Sequence, residues 1–180
     1  ALGLAVVAAS IVLSNVMITV RIPSVVEQVG HGTAQTAGLI LAAMQFVGIL
    51  AGLAFSPLTQ LFRDRLLVVS GVAYGLTQLL IGVSTNLWML AIVTILAGFA
   101  YSVALTTVYN VLSDQMPAGV LSQATSIAVL GCSAGSIATT FVLSLLGTIS
   151  SAPAFIFGFS GILMILISFF GLWIVRKSGK

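Results

Sequence analysis

Charge is scarce in this sequence. Only 5% of its 180 residues are Asp, Glu, Lys or Arg, three acidic against six basic. An ordinary soluble domain carries about 25%, so these side chains cannot cover a water-facing surface. A soluble enzyme, a nucleic-acid binder and a disordered chain are excluded. The net charge of +3 points to no nucleic acid, because the basic residues sit at chain turns and not on one face. A single cysteine, Cys132, allows no internal disulfide and no Cys-rich metal site. A single histidine, His31, excludes multi-histidine zinc motifs. There is no Walker A motif, and His31 lies outside the apolar runs, where an intramembrane serine protease would need it. Nothing in the sequence asks for a metal, a cofactor or an enzymatic activity.

Apolar residues are abundant: 59% of the chain, with a mean hydropathy of +1.25. A membrane helix needs about 20 mostly apolar residues. Six such stretches are legible, at about 2–28, 34–62, 66–83, 87–115, 120–149 and 154–177. They are too long for barrel strands and do not alternate polar with apolar residues. The breaks carry loop chemistry. Gly30-His31-Gly32-Thr33 gives flexible backbone and then a helix N-cap, and Ser84-Thr85-Asn86 can cap the fourth helix. Met116-Pro117-Ala118-Gly119 and Ser150-Ser151-Ala152-Pro153 are turn-rich. The expected class is an all-α membrane protein whose consecutive helices run antiparallel. The chain begins without methionine inside an apolar run, which suggests a fragment or a processed chain.

Basic residues near span ends set orientation. Arg63 and Arg65 follow the second span, and Arg176, Lys177 and Lys180 follow the sixth. Five of the six basic residues therefore share one side, expected to be cytoplasmic, together with both termini. Trp88 and Trp173 stand at span ends, where indole prefers the interface. The two halves of the chain have similar spacing, and Val47-Gly48-Ile49-Leu50-Ala51 faintly echoes Ala134-Gly135-Ser136-Ile137-Ala138. A triplet has an odd number of spans, so the second would run inverted relative to the first. Inverted repeats of this kind recur in transporters.

Polar residues fall unevenly. The fourth span has Thr94, Gly98, Ser102, Thr106, Tyr109 and Ser113 at helical steps, with Tyr101 and Asn110 beside them. The second has Gly38, Ala42, Gln45, Gly52 and Ser56. The fifth has Ser122, Ser126, Ser133, Ser136, Thr140 and Ser144 on one stripe, and Ala124, Ala128, Gly131, Gly135 and Ala138 on another. The sixth holds five of the ten phenylalanines and looks lipid-facing. The third, with Tyr74, Thr77 and Gln78, is intermediate. Small and hydroxyl residues serve close packing or hydrogen bonds to their own helix. Asn15, Gln45, Tyr101 and Asn110 cost more to bury and either line a cavity or join helices. Gly48-x-x-x-Gly52 and Gly131-x-x-x-Gly135 lie on corresponding spans and suggest two equivalent faces for a tight partner. Arg21, two residues before Pro23, either works at a gate or snorkels to the outer interface near Glu27. No Asp or Glu lies in the middle of a span, so a proton-carrying carboxylate is not obvious here.

These features together resemble one half of a major facilitator superfamily transporter, the C-terminal half. The run Ser56-Pro57-Leu58-Thr59-Gln60-Leu61-Phe62-Arg63-Asp64-Arg65 is similar to the family's loop G-x-L-x-D-R-x-G-R-R. Leu58 and Arg65 match; Gln60 replaces the acidic residue and Arg63 the glycine. Asp114-Gln115-Met116-Pro117-Ala118-Gly119, leading to Gln123-Ala124-Thr125, is similar to a loop of sugar- and drug-efflux members. The resemblance implies that spans one, two, four and five face a central cavity and that three and six face lipid. It implies that spans two and five pack on a missing N-terminal six-helix half, which would hold the coupling carboxylates. The function so implied is proton-coupled efflux of small amphiphilic molecules across a bacterial plasma membrane. Exposed faces on an isolated half could drive a non-native dimer. Two other readings remain: a substrate-binding component of an energy-coupling-factor vitamin importer, faintly suggested by Ala5-x-x-x-Ala9, and a structural membrane protein.

Overall fold

A computed structural model describes residues 2–30, 32–62 and 65–178. His31, Arg63, Asp64 and Lys180, named above, lie outside the described residues. The described chain forms six helices: α1 (Leu2–Gly30), α2 (Ala34–Phe62), α3 (Leu66–Gly82), α4 (Leu87–Gln115), α5 (Ala118–Ile149) and α6 (Pro153–Ser178). Asn86 caps α4 by accepting the Met89 amide at 2.8 Å, and Thr33 Oγ1 accepts the Thr36 amide at 3.3 Å ahead of α2. Pro153 opens α6, where its fixed φ suits the first turn. α5 starts directly after Pro117, earlier than the loop glycine at 119 suggested.

Five of the helices are long and apolar enough to cross a membrane; α3, equally apolar, has 17 residues. At 1.5 Å per residue α3 is about 26 Å long against a hydrocarbon core of about 30 Å.

The helices alternate in direction. Gly30 and Gly32 approach Leu87, and Arg21 reaches Ser151, so the α1–α2, α3–α4 and α5–α6 connections share one end. Gly3 approaches Ile174 at the opposite end. The most extensive pairings are α3 with α6, α1 with α5 and α2 with α4. Exchanging the triplets α1–α3 and α4–α6 converts the α1–α5 pair into α4–α2 and returns α3–α6 to itself. The three-plus-three repeat is therefore present in the packing, although the sequence echo is slight.

α1 and α4 form the centre, with 56% and 44% of their apolar windows buried; the figure is 17% for α2 and for α5. The expectation that α3 and α6 face lipid describes one side of each. Their other sides pack together through Gly71, Gly75, Gly82 and Gly161. On α6, Phe155, Phe159, Phe169 and Phe170 are exposed, whereas Phe157 is fully buried.

Candidate functional site

The hydroxyl-rich stripes resolve first. Ser10, Thr59, Ser70, Thr107, Thr125, Ser126, Ser136 and Ser168 each donate to the carbonyl four residues earlier in their own helix. In these positions the backbone satisfies the hydroxyl, and the residue is there for its small size.

The glycine motifs have definite partners. A Cβ on Gly131 would stand 2.6 Å from the Ala5 carbonyl oxygen, and one on Gly135 would collide with the Ala9 carbonyl. Ala5-x-x-x-Ala9 is thus the counterpart of Gly131-x-x-x-Gly135, at a crossing inside the chain. The α2–α4 crossing is built alike: Gly98 lies on the Met44 carbonyl, and a Cβ on Gly48 would stand 2.6 Å from Ser102 Oγ. Gly48, Gly131 and Gly135 therefore bring helices of this domain together, which corrects their expected place against an absent half. Gly52 alone of the four faces open space.

Gly52 belongs to an exposed side of α2 that also carries Gly38, Ala42, Gln45 and Ser56. α5 has a matching side. Ser122, Ser126, Ser133, Thr140 and Ser144 are exposed, roughly opposite the surface that holds α1. Beside each polar strip runs an apolar one: Leu39, Phe46 and Leu53 on α2, Leu130, Phe141 and Leu145 on α5.

Where α4 meets α3 on one side and α5 on the other lies a cluster of aromatic hydroxyls. The Tyr74 and Tyr101 rings are 6.0 Å apart at 53°. The Tyr109 hydroxyl is 3.6 Å from Cys132 Sγ, and Tyr101 lies within electrostatic range of both. All three tyrosines and the one cysteine of the chain thus gather in one place. Sequence reasoning put Tyr109 and Tyr101 side by side on the fourth span and chose Tyr101 for the cavity, but it did not bring Tyr74 or Cys132 to them. The signal available was that Tyr101 and Tyr109 stand two turns apart on one helix.

The remaining candidates are dispersed. Gln45 is exposed on α2. Asn110 is half-buried and donates to Asp114 Oδ2 at 3.4 Å, within its own helix. Asn15 is 8% exposed, and its Oδ1 reaches no partner. Among the described residues, no hydrogen bond joins Asn15, Gln45, Tyr101 and Asn110 to one another. Arg21 Nη2 donates to the Ser151 carbonyl at 2.9 Å, tying α1 to the α5–α6 connection, while Glu27 is exposed. In the loop motif, Gln60 and Arg65 are exposed. No group of three or more His, Cys, Asp or Glu stands close enough to hold a metal among the described residues.

A family model for the Major Facilitator Superfamily matches residues 2–180. The chain belongs to the major facilitator superfamily. No curated protein and no solved structure matches it. Membership makes the chain part of a secondary transporter and not an enzyme, and sets aside the vitamin-importer and structural-protein readings. It also gives the packing a context: in a facilitator, an inverted repeat of helices works as a body that moves against another.

Proposed function

We propose that the chain is the C-terminal half of a twelve-helix exporter that moves small amphiphilic molecules by alternating access, driven by proton antiport. The observation that carries this reading is the pair of unpartnered polar strips on α2 and α5. Gln45, Ser56, Ser122, Ser133, Thr140 and Ser144, exposed on helices otherwise suited to lipid, call for a protein or water-filled neighbour, since lipid offers polar groups no hydrogen bonds. A second six-helix body packed there would cover the strips and enclose a cavity between the bodies.

In this arrangement Gln45, Tyr101 and Asn110 contact substrate, and the half-buried phenols of Tyr101 and Tyr109 offer flat apolar faces with a polar edge. That combination suits amphiphiles. Asn15 stands behind this wall. Arg21 anchors the outer end, with Glu27 beyond it. Both termini lie in the cytoplasm of a bacterial cell, a placement supported by the basic residues after α2 and α6. The spans have no mid-membrane carboxylate, so the proton-carrying group belongs to the other body.

The experiment is an immunoblot of the source membrane with an antibody to residues Arg176–Lys180. A band at about twice this chain's 18.5 kDa supports the half-transporter reading. A band at 18.5 kDa overturns it.

A further inference from the structure

α2 and α3 both pack on α4 but scarcely on each other, which leaves a cleft between them with α4 as its floor. The cleft holds a cavity of about 110 Å³. Phe62 of α2 lines one wall, Leu66 and Val69 of α3 the other, and Phe99 and Val103 of α4 the floor. The one hydroxyl at its lining, Ser70, donates to the Leu66 carbonyl of its own helix at 2.7 Å. The lining therefore offers water nothing. An apolar cavity of about 150 Å³ stays dry and takes in a hydrocarbon such as benzene, and this one is of the same order.

The cleft opens outward. Val69 at its lip is 38% exposed. Along α4 the apolar track continues from Val103 and Phe99 to exposed Leu96 and Ile92, in steps of four, three and four that keep one helix face. From Val103 to Ile92 the track is about 16 Å long at 1.5 Å per residue. At the other end stands Arg65, directly before Leu66. It is exposed, and its side chain makes no capping bond to α3. The connection there carries two arginines against one aspartate in Arg63-Asp64-Arg65.

We propose that this cleft binds one anionic phospholipid, with an acyl chain between α2 and α3 and the phosphate on Arg65. The apolar track suits a hydrocarbon chain, and a basic residue at a membrane surface attracts anionic headgroups. The choice of lipid over protein rests on the half-transporter reading. Phe62 follows Ser56 by six residues, so it stands about a third of a turn round α2 from the polar strip. A second body packed on that strip leaves the cleft to the bilayer. The lipid differs from a surrounding one because its chain reaches between helices, down to buried Leu66 and Val103.

The test is photocrosslinking in the intact transporter, in nanodiscs of phosphatidylcholine with phosphatidylglycerol as a minor component. Benzoylphenylalanine is placed at Phe99, at exposed Leu96 on the same track, or at exposed Leu166 on α6 as a reference. Adducts at Phe99 and Leu96 should be enriched several-fold in phosphatidylglycerol over the bulk, and those at Leu166 should match the bulk. Arg65→Gln should lower the enrichment, and Arg65→Lys should keep most of it. The Leu96 label lies on the surface, so it reads the site even if the Phe99 label disturbs packing. Equal lipid ratios at Leu96 and Leu166 overturn the proposal in favour of ordinary surrounding lipid. Enrichment unmoved by Arg65→Gln overturns the headgroup contact, and adducts to protein in place of lipid overturn the occupant. The mass of the natural protein tests the half-transporter reading separately.

Discussion

The Tyr109 hydroxyl lies 3.6 Å from the Cys132 sulfur, across a seam where α4 and α5 otherwise touch little. Because Cys132 is the chain's sole thiol, this seam can be watched chemically in this half. Tyr109→Phe should speed maleimide labelling of Cys132 while costing about 0.5–1.5 kcal/mol of stability at most. In the intact transporter with no competing cysteine, bound substrate should slow labelling of wild-type Cys132. Equal rates with and without substrate would remove this seam from the cavity wall.

Tyr101→Ala and Asn110→Ala test the wall itself. Each should raise the KM for transport, by about tenfold if a contact worth about 1.4 kcal/mol is lost. Protein yield in the membrane should stay near that of the wild type. Transport kinetics identical to the wild type would exclude both side chains from substrate contact.

The glycines make opposite predictions. Gly98→Ala places a methyl group against the Met44 carbonyl and should destabilise by roughly 1–3 kcal/mol, as overpacking does. Gly52→Ala meets nothing within 4 Å. In detergent its thermal midpoint should differ from wild type by no more than an ordinary surface change, about 0.5 kcal/mol. A comparable loss in the two variants would contradict the packing described for α2.

Arg21→Ala removes the link from α1 to the Ser151 carbonyl. Hydrogen exchange in the 149–153 connection should accelerate several-fold, while exchange in the middle of α1 should not change. Arg21→Lys should restore part of the protection, since an ammonium also donates but without the forked geometry. An unchanged connection in Arg21→Ala would show that the contact holds nothing.

Asp114→Asn should leave the proposed proton coupling intact, because Asp114 is exposed near the end of α4 and accepts a hydrogen bond from Asn110 of its own helix. Loss of the pH-gradient dependence of efflux in this variant would place the coupling group in this half after all.

The helices were legible because membrane spans announce themselves by length and apolarity, and Asn86 and Thr33 mark starts by their capping chemistry. Facing was not legible. In a soluble helix the polar side is the outer side. Here both lipid and core are apolar, so nothing in the sequence separates exposed Phe159 from buried Phe157. Gln78 is hidden and Gln45 open for the same reason. The small-residue motifs announced close approach without naming the partner. Gly131-x-x-x-Gly135 could have met another body, and it meets Ala5-x-x-x-Ala9 of the same one.

The backbone contacts at those crossings also distribute stiffness through the domain. Thr139 stitches α5 to the Leu13 carbonyl of α1 at 3.3 Å, just beyond the glycine contacts, and Gly98 seats α4 against the Met44 carbonyl of α2. Paired helices whose backbones touch have little freedom to slide. The α2–α3 and α4–α5 boundaries are sparse by contrast, and a small apolar cavity of about 110 Å³ opens among α2, α3 and α4 beside Leu58, Phe62 and Val103. Bending during a transport cycle should therefore concentrate at these two boundaries, with α1–α5 and α2–α4 carried as beams.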